Sequence, residues 1–158
     1  MCINSISENY CHMKAAFHFK KVMIVDDDDL SRLLAEKMIK KFDFADEVVK
    51  CASAIKGLNY LCTNSFALPE IIFLDINMPG LNGFEFLDKF EKLNNTVKEH
   101  CTIIMLSASV DTDEIERAEA DKRVRFFLHK PLTLANLKAI TIAISTFSSG
   151  HFSAVINS

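Results

Sequence analysis

The chain has 158 residues, of which 49% are hydrophobic and 25% are charged, with four glycines and three prolines. These values predict one compact domain with an ordinary core, and they leave too little chain for a second domain. The formal net charge of -3 gives no indication of the basic surface that binding to nucleic acid or to an anionic membrane requires.

The five cysteines are scattered and form no CxxC pair, which favours free thiols in a reducing cytosol over disulfides or a zinc site. The N-terminus lacks the apolar core of a signal peptide, and no apolar run approaches the roughly 18 residues of a membrane span. We therefore expect a soluble, cytoplasmic protein. Residues 1–19 are predicted to form a flexible extension, residues 20–145 the folded domain, and residues 146–158 a short C-terminal tail.

From residue 20 onward, short apolar runs alternate with segments in which apolar residues recur at helical spacing. The apolar runs predict strands over residues 22–25, 46–50, 71–74, 101–106 and 125–129. Helical spacing predicts helices over residues 30–40, 54–62, 83–93 and 111–120, and a last helix from Thr133 to about residue 145. The polar segment 94–100 is predicted to be a connection, and the charges of residues 111–119 to form a solvated helix face.

Four consecutive aspartates separate the first strand from the first helix. Asp28 or Asp29 is expected to cap that helix and to complement its dipole. Because the apolar strand ends at Val25, Asp26 and Asp27 are the acids expected at the strand's end. The residues of this helix that recur at helical spacing are Leu33, Leu34, Met38 and Ile39.

Five strands alternating with five helices predict a doubly wound α/β fold, in which helices cover both faces of a five-stranded parallel sheet. The carboxyl ends of parallel strands share one edge, and ligands bind in the crevice beyond it. Polar side chains follow four of these strands, and they are Asp26 and Asp27, Asp75, Ser107, and Lys130. We therefore expect these side chains to meet in one pocket.

The chemistry of that pocket follows from its residue types. Three carboxylates within about 5 Å of one another repel by roughly 3 kcal/mol per pair at an effective dielectric constant of about 20, so they require a cation. Carboxylates with a backbone carbonyl suit Mg²⁺. Lys130 and Ser107 supply a positive charge and a hydroxyl donor that suit a phosphoryl group. Asp75 is the expected nucleophile, since aspartyl phosphates are an established covalent intermediate.

Four motifs carry a resemblance to a known family. They are VDDDD at residues 25–29, LDINMPGLNGFEFL at 74–87, MLSAS at 105–109 and FLHKP at 127–131. In this order, each at the end of a predicted strand, they resemble the receiver domain of two-component response regulators. The resemblance covers residues 20–145 and implies the CheY-like fold, with strand order 2-1-3-4-5.

The resemblance implies a phosphoacceptor and a metal site. Asp75 is the residue that takes up the phosphoryl group. Mg²⁺ is bound directly by Asp27, Asp75 and the backbone carbonyl of Asn77, whereas Asp26 acts mainly through water. The Lys130–Pro131 peptide bond is expected to be cis.

The resemblance also implies how the phosphoryl group is recognised. Lys130 contacts it and Ser107 donates a hydrogen bond to it, and Phe127 is the switch residue that turns inward as Ser107 moves. Asn77 and Ser109 occupy the positions that tune the lifetime of the phosphoryl group. One departure is the segment DKRVRFF at residues 121–127, where receivers usually have a small turn that contains glycine. This departure bears on the surface where receivers meet partners.

The function expected from these residues is phosphorelay signalling. A histidine kinase or histidine phosphotransfer protein would phosphorylate Asp75, and the protein would act as a slowly self-dephosphorylating signalling domain and not as an enzyme. Output is expected by protein contact, through a downstream protein target or a homodimer formed by helix 111–120, strand 125–129 and the last helix. Two alternatives remain. One is a Mg²⁺-dependent phosphatase of the haloacid dehalogenase type, and the other is a pseudo-receiver that binds partners without phosphorylation.

Overall fold

The computed structural model describes residues 18–148, so the predictions for residues 1–17 and 149–158 lie outside the described residues. The strands are β1 (Phe19–Val25), β2 (Ala45–Cys51), β3 (Ile71–Asp75), β4 (Thr102–Ser107) and β5 (Val124–His129). The helices are α1 (Asp29–Phe42), α2 (Ala54–Thr63), α3 (Gly83–Phe90), α4 (Asn95–His100), α5 (Thr112–Ala120) and α6 (Leu134–Ser148). None of these helices is long and apolar enough to cross a membrane.

The strands form one parallel sheet in the order β2-β1-β3-β4-β5, which confirms the predicted fold. The register of the central strands aligns the polar strand ends. Val25 lies beside Leu74, so the next residue along each strand, Asp26 or Asp75, comes to the same level. Because Asp75 in turn lies beside Leu106, Ser107 is one residue further along the same edge.

The central strands β1, β3 and β4 are buried on both faces of the sheet. One face packs against apolar residues of α2 and α3, and the other against α1 and α6. The side chains of residues 71–74 in β3 are all 0% exposed. Each such side chain contributes about 1.5–3 kcal/mol through burial, which explains why β3 is a continuous apolar run instead of an alternating one.

The predicted connection at residues 94–100 was wrong, because this segment forms the short helix α4. Asn94 caps α4 by accepting a hydrogen bond from the backbone N–H of Val97, at 2.9 Å. Val97 is the buried residue that holds α4 against the core. With one apolar anchor in six residues, α4 has too little hydrophobic periodicity to be recognised in the sequence.

The helical spacing in α1 gave the buried face only in part. Met38 and Ile39, which the spacing singled out, pack in the core, as does Ala35. Leu33 and Leu34, by contrast, are 42% and 46% exposed. Arg32 is buried instead, and its guanidinium donates to the backbone carbonyl of Asp26 and to the carboxylate of Asp29. These two polar contacts make the burial of an arginine on this face favourable.

Several element boundaries also differ from the predictions. β1 begins at residue 19 instead of 22, α3 ends at residue 90 instead of 93, and α6 runs on to residue 148.

The segment between α5 and β5, which lacks glycine, is held in place by hydrogen bonds between its own charged residues. The backbone N–H and the guanidinium of Arg123 donate to Asp121, and Nη1 of Arg123 also donates to Asp88 in α3, at 2.8 Å.

Candidate functional site

The predicted acidic residues form a cluster at the carboxyl edge of the sheet. Asp26 and Asp75 are 3% and 5% exposed, whereas Asp27 is exposed to solvent. One carboxylate oxygen from each of these three residues lies within 4.8 Å of the others. The structure therefore brings Asp75 together with the adjacent pair Asp26 and Asp27, which lies far from it in the sequence, as predicted.

The four consecutive aspartates divide between this cluster and the start of α1. Asp28 is the N-cap of α1, because its side chain accepts a hydrogen bond from the backbone N–H of Ser31 at 2.8 Å. The backbone N–H of Asp28 in turn donates to Oδ1 of Asp26 at 2.9 Å. This arrangement agrees with the assignment of Asp26 and Asp27, not Asp28, to the cluster.

Lys130 supplies the positive charge of the cluster. Its Nζ lies 2.8 Å from Oδ2 of Asp26 and 2.9 Å from Oδ1 of Asp75. The backbone N–H of Lys130 donates to the carbonyl of Ser107 at 2.8 Å, which ties the end of β5 to the end of β4. The Lys130–Pro131 peptide bond is cis, as the resemblance implied.

Burial and ion pairing act in opposite directions on these groups. Burial raises the pKa of Asp75, and the hydrogen bond from Lys130 offsets this only in part. Burial alone would lower the pKa of Lys130, but its hydrogen bonds to Asp26 and Asp75 outweigh that effect and raise it. Burial therefore disfavours the charged form of Asp75, and a nearby cation such as Lys130 stabilises that charged form.

The residues of the cluster fit a magnesium ion. All three side chains are carboxylates, and oxygen is the donor that Mg²⁺ prefers. Asp27 is exposed, so the cluster opens to solvent and to the waters that Mg²⁺ retains. A single ammonium group faces three acids, so the cluster has a deficit of positive charge that a divalent cation would fill.

The loop between β3 and α3 fixes the backbone of Asp75. Gly80 adopts a left-handed conformation with φ 83°, which favours glycine. A Cβ at Gly83 would lie 2.6 Å from the carbonyl oxygen of Asp75, so only glycine allows α3 to start this close to the strand. Asn82 and Glu85 form a capping box that sets the first turn of α3.

Ser107 and Asn77 lie at neighbouring strand ends, but their side chains bond to a residue that the sequence analysis missed. Ser107 is 0% exposed, and its Oγ donates to Oε2 of Glu114 at 3.5 Å. Asn77 is exposed, and its Nδ2 donates to the same oxygen at 3.3 Å. The Ser107 Oγ also accepts from the backbone N–H of Ser109 at 3.0 Å.

The charged residues at 111–119 were predicted to form a solvated helix face. Most of them are exposed, but Glu114 is half-buried. The sequence contains no clear signal for this contact. Acidic residues in the first turn of a helix are explained by the helix dipole alone, and which of them faces the sheet depends on how the helix is docked.

Phe127 lies in β5, three residues before Lys130, and is partly buried. It packs on the side of the sheet that is covered by α2 and α3, and its ring contacts that of His129 edge-on at a centroid distance of 5.2 Å. The preceding residue, Phe126, packs on the other side of the sheet, which is covered by α1 and α6. A change in the packing of Phe127 would thus alter the outer end of the sheet without disturbing the core under α1 and α6.

Comparisons with known proteins agree on one family. The sequence model described as "Response regulator receiver domain" matches residues 22–142. A two component response regulator from Cytophaga hutchinsonii is 32% identical, covers 80% of this chain and 98% of its own, and superposes with a TM-score of 0.71. The probable chemotaxis protein CheY from Rhizobium etli is 30% identical over 78% of this chain and 91% of its own length.

Longer relatives contain a similar segment as a small part. The hybrid signal transduction histidine kinase A from Dictyostelium discoideum is 30% identical over 75% of this chain, which corresponds to 5% of the length of that protein. The chain spans about a fifth or less of the length of several of the curated relatives that it matches.

Proposed function

Because the chain belongs to the response regulator receiver domain family, which acts in two-component signalling, we propose that Asp75 accepts a phosphoryl group and thereby switches a protein-binding surface. The observation that carries this proposal is the environment of Asp75. It is a nearly buried carboxylate at the end of a central strand, 2.9 Å from an ammonium group and next to two further acids.

In the proposed transfer, an oxygen of Asp75 attacks the phosphorus of a phosphohistidine on a histidine kinase or a histidine phosphotransfer protein. The new O–P bond forms as the P–N bond breaks, and the imidazole nitrogen leaves with the electron pair and takes up a proton. The similarity to a hybrid histidine kinase supports this class of donor. Lys130 already contacts Asp75, so we expect its Nζ to bind the incoming phosphoryl oxygens.

We propose Asp27, Asp75 and the backbone carbonyl of Asn77 as the direct ligands of Mg²⁺, with Asp26 acting mainly through water. When bound, Mg²⁺ supplies positive charge that offsets the charge of the transferred group. Oδ1 of Asp26 accepts from the backbone N–H of Asp28, and its Oδ2 accepts from Lys130. Both oxygens of Asp26 are thus engaged already, which supports a water-mediated role.

Phosphorylation would then change the hydrogen bonding at the edge of the sheet. A phosphoryl group adds a charge of about -1.5 to -2 and three acceptor oxygens. Ser107 and Lys130 would donate to it, and the movement of Ser107 would let Phe127 turn inward. Converting a mostly inactive ensemble to a mostly active one takes about 5.5 kcal/mol, which several charge-assisted hydrogen bonds together can supply.

The surface that we propose to change is formed by α5, β5 and α6, and the output is contact with a downstream protein or with a second copy of the chain. Asn77 and Ser109, at the rim of the site, would tune the lifetime of the phosphoryl group. Receiver domains are signalling domains and not typical enzymes, so we expect the phosphoryl group to be lost by slow hydrolysis. The comparisons give no support to the phosphatase alternative, and Asn77 stands where such a phosphatase needs its second acid.

Phosphorylation of the protein by acetyl phosphate in the presence of Mg²⁺ tests this proposal. Intact mass spectrometry should detect one added phosphoryl group on the wild-type protein and none on Asp75→Asn. A wild-type protein that binds Mg²⁺ but gains no phosphoryl group at saturating acetyl phosphate would establish the pseudo-receiver alternative instead. Repeated turnover of a phosphomonoester that is lost in Asp75→Asn would favour the phosphatase.

A further inference from the structure

Glu114 connects two segments that flank the proposed phosphorylation site. It lies in the first turn of α5, which is capped by Asp111. A single oxygen, Oε2, accepts from Nδ2 of Asn77 in the loop after β3 and from Oγ of Ser107 at the end of β4. Glu114 is thus the acidic side chain that spans from α5 to both strand ends.

The helix dipole does not explain this contact. The first turn of α5 also contains Asp113, and acidic residues at this position stabilise a helix whether or not they touch another element. Asp113 is exposed, whereas Glu114 is half-buried and bonded to Ser107, which is fully buried. The carboxylate of Glu114 therefore has a role beyond the helix to which it belongs.

From these contacts we propose that Glu114 is a positioning residue that holds Ser107 in its unphosphorylated arrangement and opposes phosphorylation of Asp75. This inference rests on the proposed function. A serine hydroxyl has one proton to donate, so while Ser107 donates to Glu114 it cannot donate to a phosphoryl group. The phosphoryl group also adds negative charge beside an existing carboxylate, and like charges repel.

The structure leaves space for Glu114 to move when a phosphoryl group arrives. Both of its contacts are longer than ordinary hydrogen bonds, which span roughly 2.7–3.2 Å for an N–H donor and roughly 2.5–3.0 Å for an O–H donor, so they can be exchanged at low cost. Glu114 also lines a cavity of about 310 Å³ together with Arg117, one turn further along α5. The guanidinium of Arg117 lies over the ring of Phe84, 3.9 Å from its centroid. We infer that the carboxylate swings into this cavity, toward the positive charge of Arg117.

Beryllofluoride, which forms a stable phosphoryl mimic on an aspartate in the presence of Mg²⁺, provides the test. Its affinity is measured by calorimetry at saturating Mg²⁺ for the wild-type protein, Glu114→Gln and Glu116→Gln. The last variant is the matched control, because Glu116 is exposed on the same helix and its replacement changes the net charge equally. We expect Glu114→Gln to bind beryllofluoride about fivefold more tightly than the wild type, and Glu116→Gln to remain within about twofold of it.

The sign of the change separates positioning from mere structural support. If Glu114 only supported the fold, its replacement would lower the melting temperature and weaken beryllofluoride binding. The proposal is overturned if Glu114→Gln binds no more tightly than the wild type, or if both variants tighten binding equally. A wild-type protein that binds Mg²⁺ but no beryllofluoride would instead refute the proposed function, and with it this inference.

Discussion

The residue that decides the electrostatics of the site is Lys130. Two nearly buried carboxylates share its ammonium group, so neither Asp26 nor Asp75 is fully compensated. A buried carboxylate whose negative charge is only partly neutralised lowers the stability of the folded state. A bound cation that neutralises the remaining charge raises that stability again. The same imbalance that makes the apoprotein less stable thus makes the site ready to bind a divalent cation.

The raised pKa of Asp75 predicts how stability depends on pH. Burial raises this pKa above the ordinary value of 3.8, so the folded state binds the proton more tightly than the unfolded state. The stabilising contribution is therefore complete below pH 3.8 and is lost as the pH rises through the folded-state pKa. Without divalent cations at pH 7, we expect Asp75→Asn to have a higher free energy of unfolding than the wild type.

Urea denaturation of both proteins between pH 4 and pH 7 measures this difference, which should shrink as the pH falls. Glu119→Gln, which removes an exposed carboxylate from α5, should show no such trend. A difference that stays constant over this range would contradict the assigned cause.

Replacement of Lys130 should have the opposite effect. Lys130→Met leaves both carboxylates buried without their shared cation, so we expect it to lower the free energy of unfolding by about 2–3 kcal/mol in the presence of a chelator. Saturating Mg²⁺ should reverse part of this decrease in stability, because the ion neutralises the carboxylates in place of the ammonium group. Urea denaturation with and without Mg²⁺ measures both effects, with the exposed Lys122→Met as control. An equal loss under both conditions would show that packing, and not charge, is responsible.

At the scale of elements, the parts of the structure that could be predicted are those that follow from the order of apolar and polar residues along the chain. The apolar runs of β1, β3 and β4 are buried on both faces, so their positions and their polar carboxyl ends are visible in the sequence, although β1 begins three residues before its apolar run. Once these strands are parallel, the register alone brings Asp26 level with Asp75. The cluster of acids follows from topology and does not require knowledge of side-chain conformations.

The features that could not be predicted depend on contacts between elements. Which face of α1 is buried depends on where its neighbours lie, and the guanidinium of Arg32 is buried because Asp26 and Asp29 offer acceptors there. The contact of Glu114 with Ser107 depends in the same way on the docking of α5 against the end of β4. Hydrophobic periodicity contains no information about either contact.

The docking of α3 against β3 makes a prediction that separates crowding from backbone strain. In Gly83→Ala, the new Cβ would lie 2.6 Å from the carbonyl oxygen of Asp75, so α3 must shift, and we expect a loss of about 3 kcal/mol. In Gly80→Ala nothing lies within 4 Å of the new Cβ, and only the left-handed backbone is strained, at a cost of about 1 kcal/mol.

Urea denaturation gives both values for these two glycine variants. Only Gly83→Ala should also weaken the binding of beryllofluoride, because it displaces the backbone of Asp75. Similar losses for the two variants would show that the start of α3 can move without disturbing the strand.

At the scale of the whole molecule, the site and the proposed partner surface are joined through the outer strands. Lys130 and Ser107 are bonded through their backbones, and Phe127 lies three residues before Lys130 in β5. The charged contacts of Arg123 with Asp88 and Asp121 hold the start of the same strand to α3. A change at the site can thus reach this side of the molecule through side chains of β5. β2, at the opposite edge of the sheet, supplies none of the residues assigned to the site, and its described link to the site is the backbone hydrogen bond from Asp26 to the carbonyl of Cys51 at 3.1 Å.

This asymmetry predicts where phosphorylation is felt. In nuclear magnetic resonance spectra of ¹⁵N-labelled protein, beryllofluoride with Mg²⁺ should shift the amide signals of α5, β5 and α6, with little effect on β2.

Phe127→Leu tests whether the ring of Phe127 carries this change. The variant keeps an apolar side chain but removes the ring, so we expect it to bind beryllofluoride as the wild type does while the shifts in α5 and α6 become smaller. A reduction in coupling of about 1 kcal/mol is the size expected for a residue that links two sites. Phe126→Leu is the matched control, since this neighbouring ring packs on the opposite face of the sheet. If the two variants reduced the shifts equally, the signal would pass through β5 as a whole and not through the ring of Phe127.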